Sequence, residues 1–139
     1  MACCLRGLFR RRQQRPAPSL RGRPAIRREK GYAADSGYVY QYTYEGYRPA
    51  SRSGRSGRDY VFRCTSAPPA HIAVTVFAPD ESFAAWERDQ SRNLNDVERY
   101  AIVKMHLFET FDSSPHLVAD EVRDIDERDV DRHVETLDL

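Results

Sequence analysis

A run of four tyrosines constrains the fold of this chain more than any other feature. The tyrosines stand at every second position of residues 38–45, and an extended strand directs alternate side chains to the same face. They are Tyr38, Tyr40, Tyr42 and Tyr44, while valine, glutamine, threonine and glutamate occupy the opposite face. Because the tyrosine face is far more apolar, we expect it to pack under a helix with its hydroxyl groups at the rim.

Two further runs of strand-forming residues follow the tyrosine run. Residues 59–65 and 71–78 are both rich in β-branched and aromatic side chains that alternate along the chain. Three such runs in succession predict an antiparallel meander. Residues 48–58, between the first two runs, are mostly glycine, serine and arginine and are predicted to form a mobile loop.

Helical patterns fill the second half of the chain. Asp80 follows a proline and is expected to cap a short helix. Asn95 and Glu98 have the spacing of a capping box, which predicts the start of a second helix. Apolar residues cover most of the circumference of this second helix as far as Phe111, so we expect it to lie across the sheet.

The predicted fold is therefore α+β, with a small antiparallel sheet of three strands covered on one face by two helices. Residues 117–125 offer a fourth strand at one edge, and Asp126 is placed to cap a short C-terminal helix. A length of 139 residues favours one domain. We expect a compact domain over residues 38–139, preceded by a disordered basic arm over residues 1–37.

Charge is divided unevenly along the chain, although the formal net charge is only +1. Residues 1–30 contain ten lysine and arginine residues and a single acid, whereas residues 116–139 contain nine acids and three arginines. A basic arm of this kind is expected to seek phosphate groups, an anionic membrane surface or the acidic end of its own chain.

The basic arm also bears on the compartment, although its simplest interpretation is a solvated tail. Leu5, Leu8 and Phe9 share one helical face among arginines, as in a mitochondrial transit peptide, although serine is scarce. Cys3 and Cys4 beside the basic run make lipidation another alternative. No apolar run approaches 18 residues, and the three cysteines form no disulfide framework. A cytoplasmic location is expected, with the mitochondrial matrix as the alternative.

The function class that the sequence favours is a non-enzymatic regulatory or protein-interaction module. The chain contains no recognisable set of convergent catalytic residues. Phe83 and Trp86 stand three residues apart on a predicted short helix, where they would present an aromatic anchor to a protein partner of unknown identity. No cofactor is predicted.

Nucleic-acid binding is the alternative function. Arginine can bind a phosphate group with two parallel hydrogen bonds, so clustered arginines would give binding that weakens with salt. The candidate phosphate contacts are Arg10, Arg11 and Arg12 in the arm, and Arg48, Arg52, Arg55 and Arg58 in the glycine-rich segment. A GC-rich genome also explains the abundance of arginine over lysine.

A second alternative is an enzyme that uses Cys64 as its nucleophile and a histidine as its base. Cys64 alternates with two aromatic residues, which favours a position in the core instead. Residues 124–135 resemble a calcium loop only in part, because the ligand at its fifth position and the glycine at its sixth are missing. No metal site is predicted, and the histidines are interpreted as structural or surface residues, although two of them lie on helices that could bring them together. The histidines are His71, His106, His116 and His133.

Overall fold

The computed structural model describes residues 17–67, 70–113 and 117–139, which form one five-stranded sheet and three helices. In chain order the elements are β1 (Lys30–Ala33), β2 (Val39–Arg52), β3 (Arg55–Ala67), β4 (Ala70–Pro79), α1 (Asp80–Gln90), α2 (Asp96–Ser113), β5 (Glu121–Asp124) and α3 (Glu127–Leu137). The strands are arranged in the order β1-β2-β3-β4-β5. The first four are antiparallel to their neighbours, and β5 is parallel to β4.

The predicted sheet was wrong in the number of its strands and in the direction of its last strand. The predicted edge strand at residues 117–125 exists as β5, but it is parallel to β4. The physical reason is the connection between them, because α1 and α2 carry the chain back to the end of the sheet where β4 began. The sheet is therefore mixed.

Strand β1 lies inside the segment that was predicted to be a disordered arm. Its sequence, KGYA, has little strand character, and it is held by pairing with residues 39–42 of β2. The ring of Tyr32 stacks on Phe108 of α2 with 4.2 Å between ring centroids, and its hydroxyl group donates a hydrogen bond to Asp112. Further upstream, Arg21 forms an isolated bridge with Tyr47. The expectation of disorder was wrong for this part of the arm, and residues 1–16 lie outside the described residues.

The segment that was predicted to be a mobile loop forms the end of a long β-hairpin. Strands β2 and β3 pair as far as Arg52 and Arg55, so that only Ser53 and Gly54 make the turn. Both turn residues have positive φ, at 53° and 73°, which is the backbone of the tight turns that match the twist of a hairpin. The loop prediction was wrong because glycine and serine content marks the turn but does not show how far the strands extend.

Replacing Ser53 by asparagine is expected to stabilise the protein. Asparagine tolerates a left-handed backbone better than serine, so the strain at φ 53° should fall. We expect a gain of about 0.5 kcal/mol in the free energy of unfolding, measured by urea denaturation. Ser53→Val is the matched control, and it should destabilise the protein because a β-branched residue disfavours positive φ. Equal stability of the two variants would contradict the turn geometry.

The tyrosine face of β2 packs under α2, which confirms the sequence-based expectation. Tyr40 and Tyr42 are 3% and 4% exposed, and the ring of Tyr40 stacks on Phe111 with 4.4 Å between centroids. Tyr44 contacts the ring of Tyr100, while Tyr38 lies at the edge and is partly exposed. The core therefore lies between the sheet and the helices, and the polar side chains of β2 point away from it.

Two of the helices begin at reciprocal side-chain caps. Asn95 and Glu98 form the predicted capping box, with hydrogen bonds of 2.8 and 3.1 Å between side chain and backbone. Asp126 forms a second one with Asp129 at the start of α3. Asp80 does not cap α1 as expected, because it is already the first helical residue. None of the helices in the described part of the chain is long and apolar enough to cross a membrane.

Candidate functional site

A pocket of about 150 Å³ opens between the N-terminal segment and the edge of β2. The segment pairs with β2 through Arg21 opposite Tyr47 and again through Lys30 opposite Tyr42. Between these two points the N-terminal segment does not pair with β2, and the pocket is the space between the segment and the edge of the strand. The lining residues, none of them acidic, are Pro24, Ile26, Arg27, Arg28, Lys30, Tyr42, Thr43, Tyr44 and Tyr100. We call this the cationic pocket.

Lys104 of α2 lies beside the cationic pocket. Its amino group is 5.8 Å from the ring centroid of Tyr42. Burial lowers the pKa of Lys104, and the charge of the neighbouring Lys30 lowers it further. These are the only two lysines of the chain, and the fold brings them together although they are 74 positions apart.

Most cations of this region have no counterion in the part of the chain that the structure describes. Arg27 lies 3.5 Å from the Glu45 carboxylate. Within the described residues, no carboxylate lies within 4.0 Å of the charged groups of Arg28, Lys30 or Lys104. Like charges held together repel one another, so an anion that binds here would relieve this repulsion.

The hydroxyl groups around the cationic pocket are hydrogen-bond donors at neutral pH. Burial raises the pKa of Tyr42 to about 12 and raises the pKa of Tyr44 as well. Both phenols are therefore protonated at neutral pH and can donate hydrogen bonds. The pocket offers positive charge and O–H donors, and its lining contains no carboxylate, thiol or imidazole.

The four arginines of the predicted loop are not free cations. Each guanidinium group lies within 4.0 Å of a carboxylate of the same chain. The pairs are Arg48–Asp59, Arg52–Asp59, Arg55–Asp124 and Arg58–Asp96, at 3.8, 2.8, 2.8 and 3.3 Å. Arg52 and Arg55 also lie over the ring of Phe77. These arginines thus pair with carboxylates of β3, β5 and α2. Arg10, Arg11 and Arg12 lie outside the described residues.

Phe83 and Trp86 do not form the exposed aromatic anchor that the sequence suggested. Both belong to the core, with exposed fractions of 2% and 7%. The physical reason is that α1 packs against β3, β4 and α3, so its aromatic side is buried inside the molecule. This expectation was wrong, because a short amphipathic helix looks the same in sequence whether its apolar side meets its own core or a partner.

Cys64 is buried in the sheet, in agreement with its interpretation as a core residue. Its side chain is fully buried, and burial raises the pKa of its thiol to about 12. The reactive form of cysteine is the thiolate. At neutral pH this thiol is protonated and inaccessible, which disfavours the enzyme alternative built on it.

His106 of α2 and His133 of α3 meet where the two helices pack. His106 Nδ1 and His133 Nε2 lie 3.1 Å apart, so one nitrogen donates a hydrogen bond to the other. Oxygen Oε2 of Glu109 lies 3.7 Å from the first nitrogen and 3.8 Å from the second. The three side chains can hold a metal ion. We call this group the histidine cluster.

The surroundings of the histidine cluster favour neutral imidazole rings and an ionised carboxylate. Burial lowers the pKa values of both His106 and His133. Hydrogen bonds from Arg132 lower the pKa of Glu109, and Arg132 donates to both carboxylate oxygens, at 2.7 and 2.8 Å. Arg132 also donates to Asp129 at 2.5 Å.

Comparison with known proteins adds no assignment to these sites. No protein-family model, curated protein or solved structure matches the chain.

The sequence indicated that His106 and His133 could meet, but not that Glu109 would join them, and it did not indicate the cationic pocket, whose members are far apart along the chain. His106 and Glu109 stand three positions apart on a helix, which was a usable signal, but His133 comes from another helix. For the cationic pocket, the sequence showed only that the chain has two lysines, Lys30 and Lys104. It did not show that the elements carrying them would be in contact. Nothing in the sequence showed that the segment around Lys30 would pair with β2.

Proposed function

We propose that the protein is a non-enzymatic protein-interaction module that binds an anionic side chain of a partner in the cationic pocket. The observation that carries the proposal is the convergence of Arg28, Lys30 and Lys104 without an acidic counterion among the described residues. The four described arginines that were candidates for phosphate binding are all paired with carboxylates. An acidic group from outside would therefore find its strongest complement at this pocket.

The size of the pocket favours a single anionic group over an extended polyanion. A volume of about 150 Å³ is small compared with the ligand sites of typical small-molecule-binding proteins. A nucleic-acid backbone needs a row of cations that follows its phosphates. The arginines that would extend such a row, at the end of the β2–β3 hairpin, are bound to carboxylates of their own chain.

The apolar part of the lining fits a peptide that carries the anion. Ile26 is 69% exposed beside the pocket, and Pro24 and the rings of Tyr42 and Tyr44 complete its walls. A carboxylate or phosphate side chain would meet the amino groups and hydroxyl donors, while the neighbouring residues of the peptide would cover the exposed apolar atoms. Glutamate and phosphoserine share this chemistry, and the two are distinguished by experiment.

The experiment is an NMR titration of the ¹⁵N-labelled full chain with three peptides of one sequence. The peptides carry serine, glutamate or phosphoserine at the central position. We expect shifts of the amide signals of residues 24–30, 42–44 and 100–104 with phosphoserine, smaller shifts with glutamate, and none with serine. A variant with both Lys30→Gln and Lys104→Gln should bind about tenfold more weakly, because two charged contacts are lost.

The matched control removes the same number of charges elsewhere. Arg63 and Arg88 are exposed and lie outside the cationic pocket, so Arg63→Gln with Arg88→Gln should leave the affinity unchanged. Equal weakening in the two double variants, or the absence of signal shifts at the pocket with both anionic peptides, would refute the proposal. A single-stranded oligonucleotide that binds more tightly than the phosphopeptide would replace it with the nucleic-acid alternative.

A further inference from the structure

We propose that the histidine cluster, formed by His106, Glu109 and His133, is a binding site for a divalent transition metal ion. This inference is independent of the function proposed for the cationic pocket, because the two sites share no residue. It rests on the geometry of three donor atoms, on the fold that positions them and on the burial of two of them.

The three donor atoms have the mutual separations that metal ligands have. The distances between them are 3.1, 3.7 and 3.8 Å. A triangle with these sides has a circumscribed circle of radius about 2.1 Å, which equals the usual distance from zinc to a nitrogen or oxygen ligand. An ion at the centre would thus lie at a bonding distance from all three atoms.

The fold holds the donors in this arrangement. His106 and Glu109 lie three residues apart on α2, so both side chains project from the same side of the helix. The capping box of Asp126 and Asp129 fixes the start of α3, and His133 lies two turns further along that helix. The donors therefore come from two packed helices with defined ends.

The donor side chains differ in their access to solvent. His133 is only 1% exposed, whereas the Glu109 side chain is 41% exposed. Solvent can thus reach the cluster from the glutamate side and supply a further ligand.

The charge balance of the site includes one opposing group. Arg132 binds the Glu109 carboxylate that the metal would share, and its positive charge disfavours a cation. Asp129 offers Arg132 an alternative partner on the same helix, so Arg132 can remain paired while Glu109 turns toward the metal. Two imidazoles and one carboxylate form a donor set of nitrogen and oxygen, which suits zinc, cobalt, nickel or iron better than calcium.

The test uses the full chain, without an affinity tag, in a background that carries Cys3→Ser and Cys4→Ser to remove competing thiols. Zinc binding is measured by titration calorimetry, and the geometry of the donors by the visible absorption of the cobalt complex. We expect one zinc ion per chain and a rise of several degrees in the melting temperature at saturating zinc. Glu109→Gln should weaken zinc binding at least tenfold.

Two further variants separate a metal site from a purely structural cluster. Arg132→Gln should tighten zinc binding, because it removes the competing cation, whereas His71→Gln should leave the affinity unchanged as a matched control outside the cluster. If zinc and Arg132 compete for the Glu109 carboxylate, Glu109→Gln must weaken zinc binding and Arg132→Gln must strengthen it. No zinc binding, or zinc binding of equal strength in the background protein and in Glu109→Gln, would overturn the proposal.

Discussion

Replacement of Phe111 by alanine is expected to lower the free energy of unfolding by about 4 kcal/mol. Phe111 is 1% exposed. The centroid of its ring lies 4.4, 5.9 and 6.2 Å from the ring centroids of Tyr40, Tyr32 and Tyr42. Its removal would leave a cavity between α2 and strands β1 and β2, in addition to the lost burial of the ring itself. Domains of this size have a total stability of roughly 5–15 kcal/mol, so this loss would remove at least about a quarter of it.

Urea denaturation of the purified variant measures this effect. Phe111→Leu is the matched control, because it retains most of the buried apolar volume and should cost about 1.5 kcal/mol. The two variants should differ most in the hydrogen-exchange protection of residues 30–33 and 39–42, where β1 is held by these rings. A loss of less than about 1 kcal/mol for Phe111→Ala would show that α2 does not cover the tyrosine face as described.

Replacement of Gly57 by alanine should destabilise the sheet by about 3 kcal/mol or more. A Cβ atom at Gly57 would lie 2.2 Å from the backbone oxygen of Ala78 and 2.8 Å from Cα of Pro79. Both neighbours are backbone atoms of β4, so they cannot turn away as a flexible side chain would. Strands β3 and β4 would have to separate locally, and hydrogen bonds beside Gly57 would break.

Gly31→Ala is the matched control for this prediction. At Gly31 the nearest atom to a new Cβ would be 3.7 Å away, at the end of the Gln41 side chain, so alanine should be accepted at little cost. We expect a clear fall in the melting temperature for Gly57→Ala and almost none for Gly31→Ala, measured by circular dichroism. Similar melting temperatures for the two variants would contradict the close approach of β3 and β4.

The features that the sequence predicted correctly depend on neighbouring residues. The alternation of tyrosines placed Tyr40 and Tyr42 on the face that α2 covers, because side-chain direction in a strand has a period of two. Asn95 and Glu98 marked the start of α2, because a capping box needs only four consecutive residues.

The features that the sequence did not predict depend on contacts between distant parts of the chain. The residues of β1 have little local preference for a strand. The strand is held because Tyr32 packs on Phe108 and the backbone pairs with β2. The hairpin extends to Arg52 by pairing between β2 and β3, and the Arg52 side chain also donates two hydrogen bonds to Asp59. The parallel direction of β5 depends on the two helices that precede it.

Both candidate sites depend on contacts between distant parts of the chain. The sequence by itself determined the class of most elements, the starts of two helices and the apolar face of β2, because these follow from local periodicity and capping. Only the tertiary structure decided that Lys30 lies beside Lys104 and that His106 and Glu109 face His133. Helix packing and strand pairing set those distances, since charge and metal-ligand geometry are properties of groups in space rather than of positions along a chain.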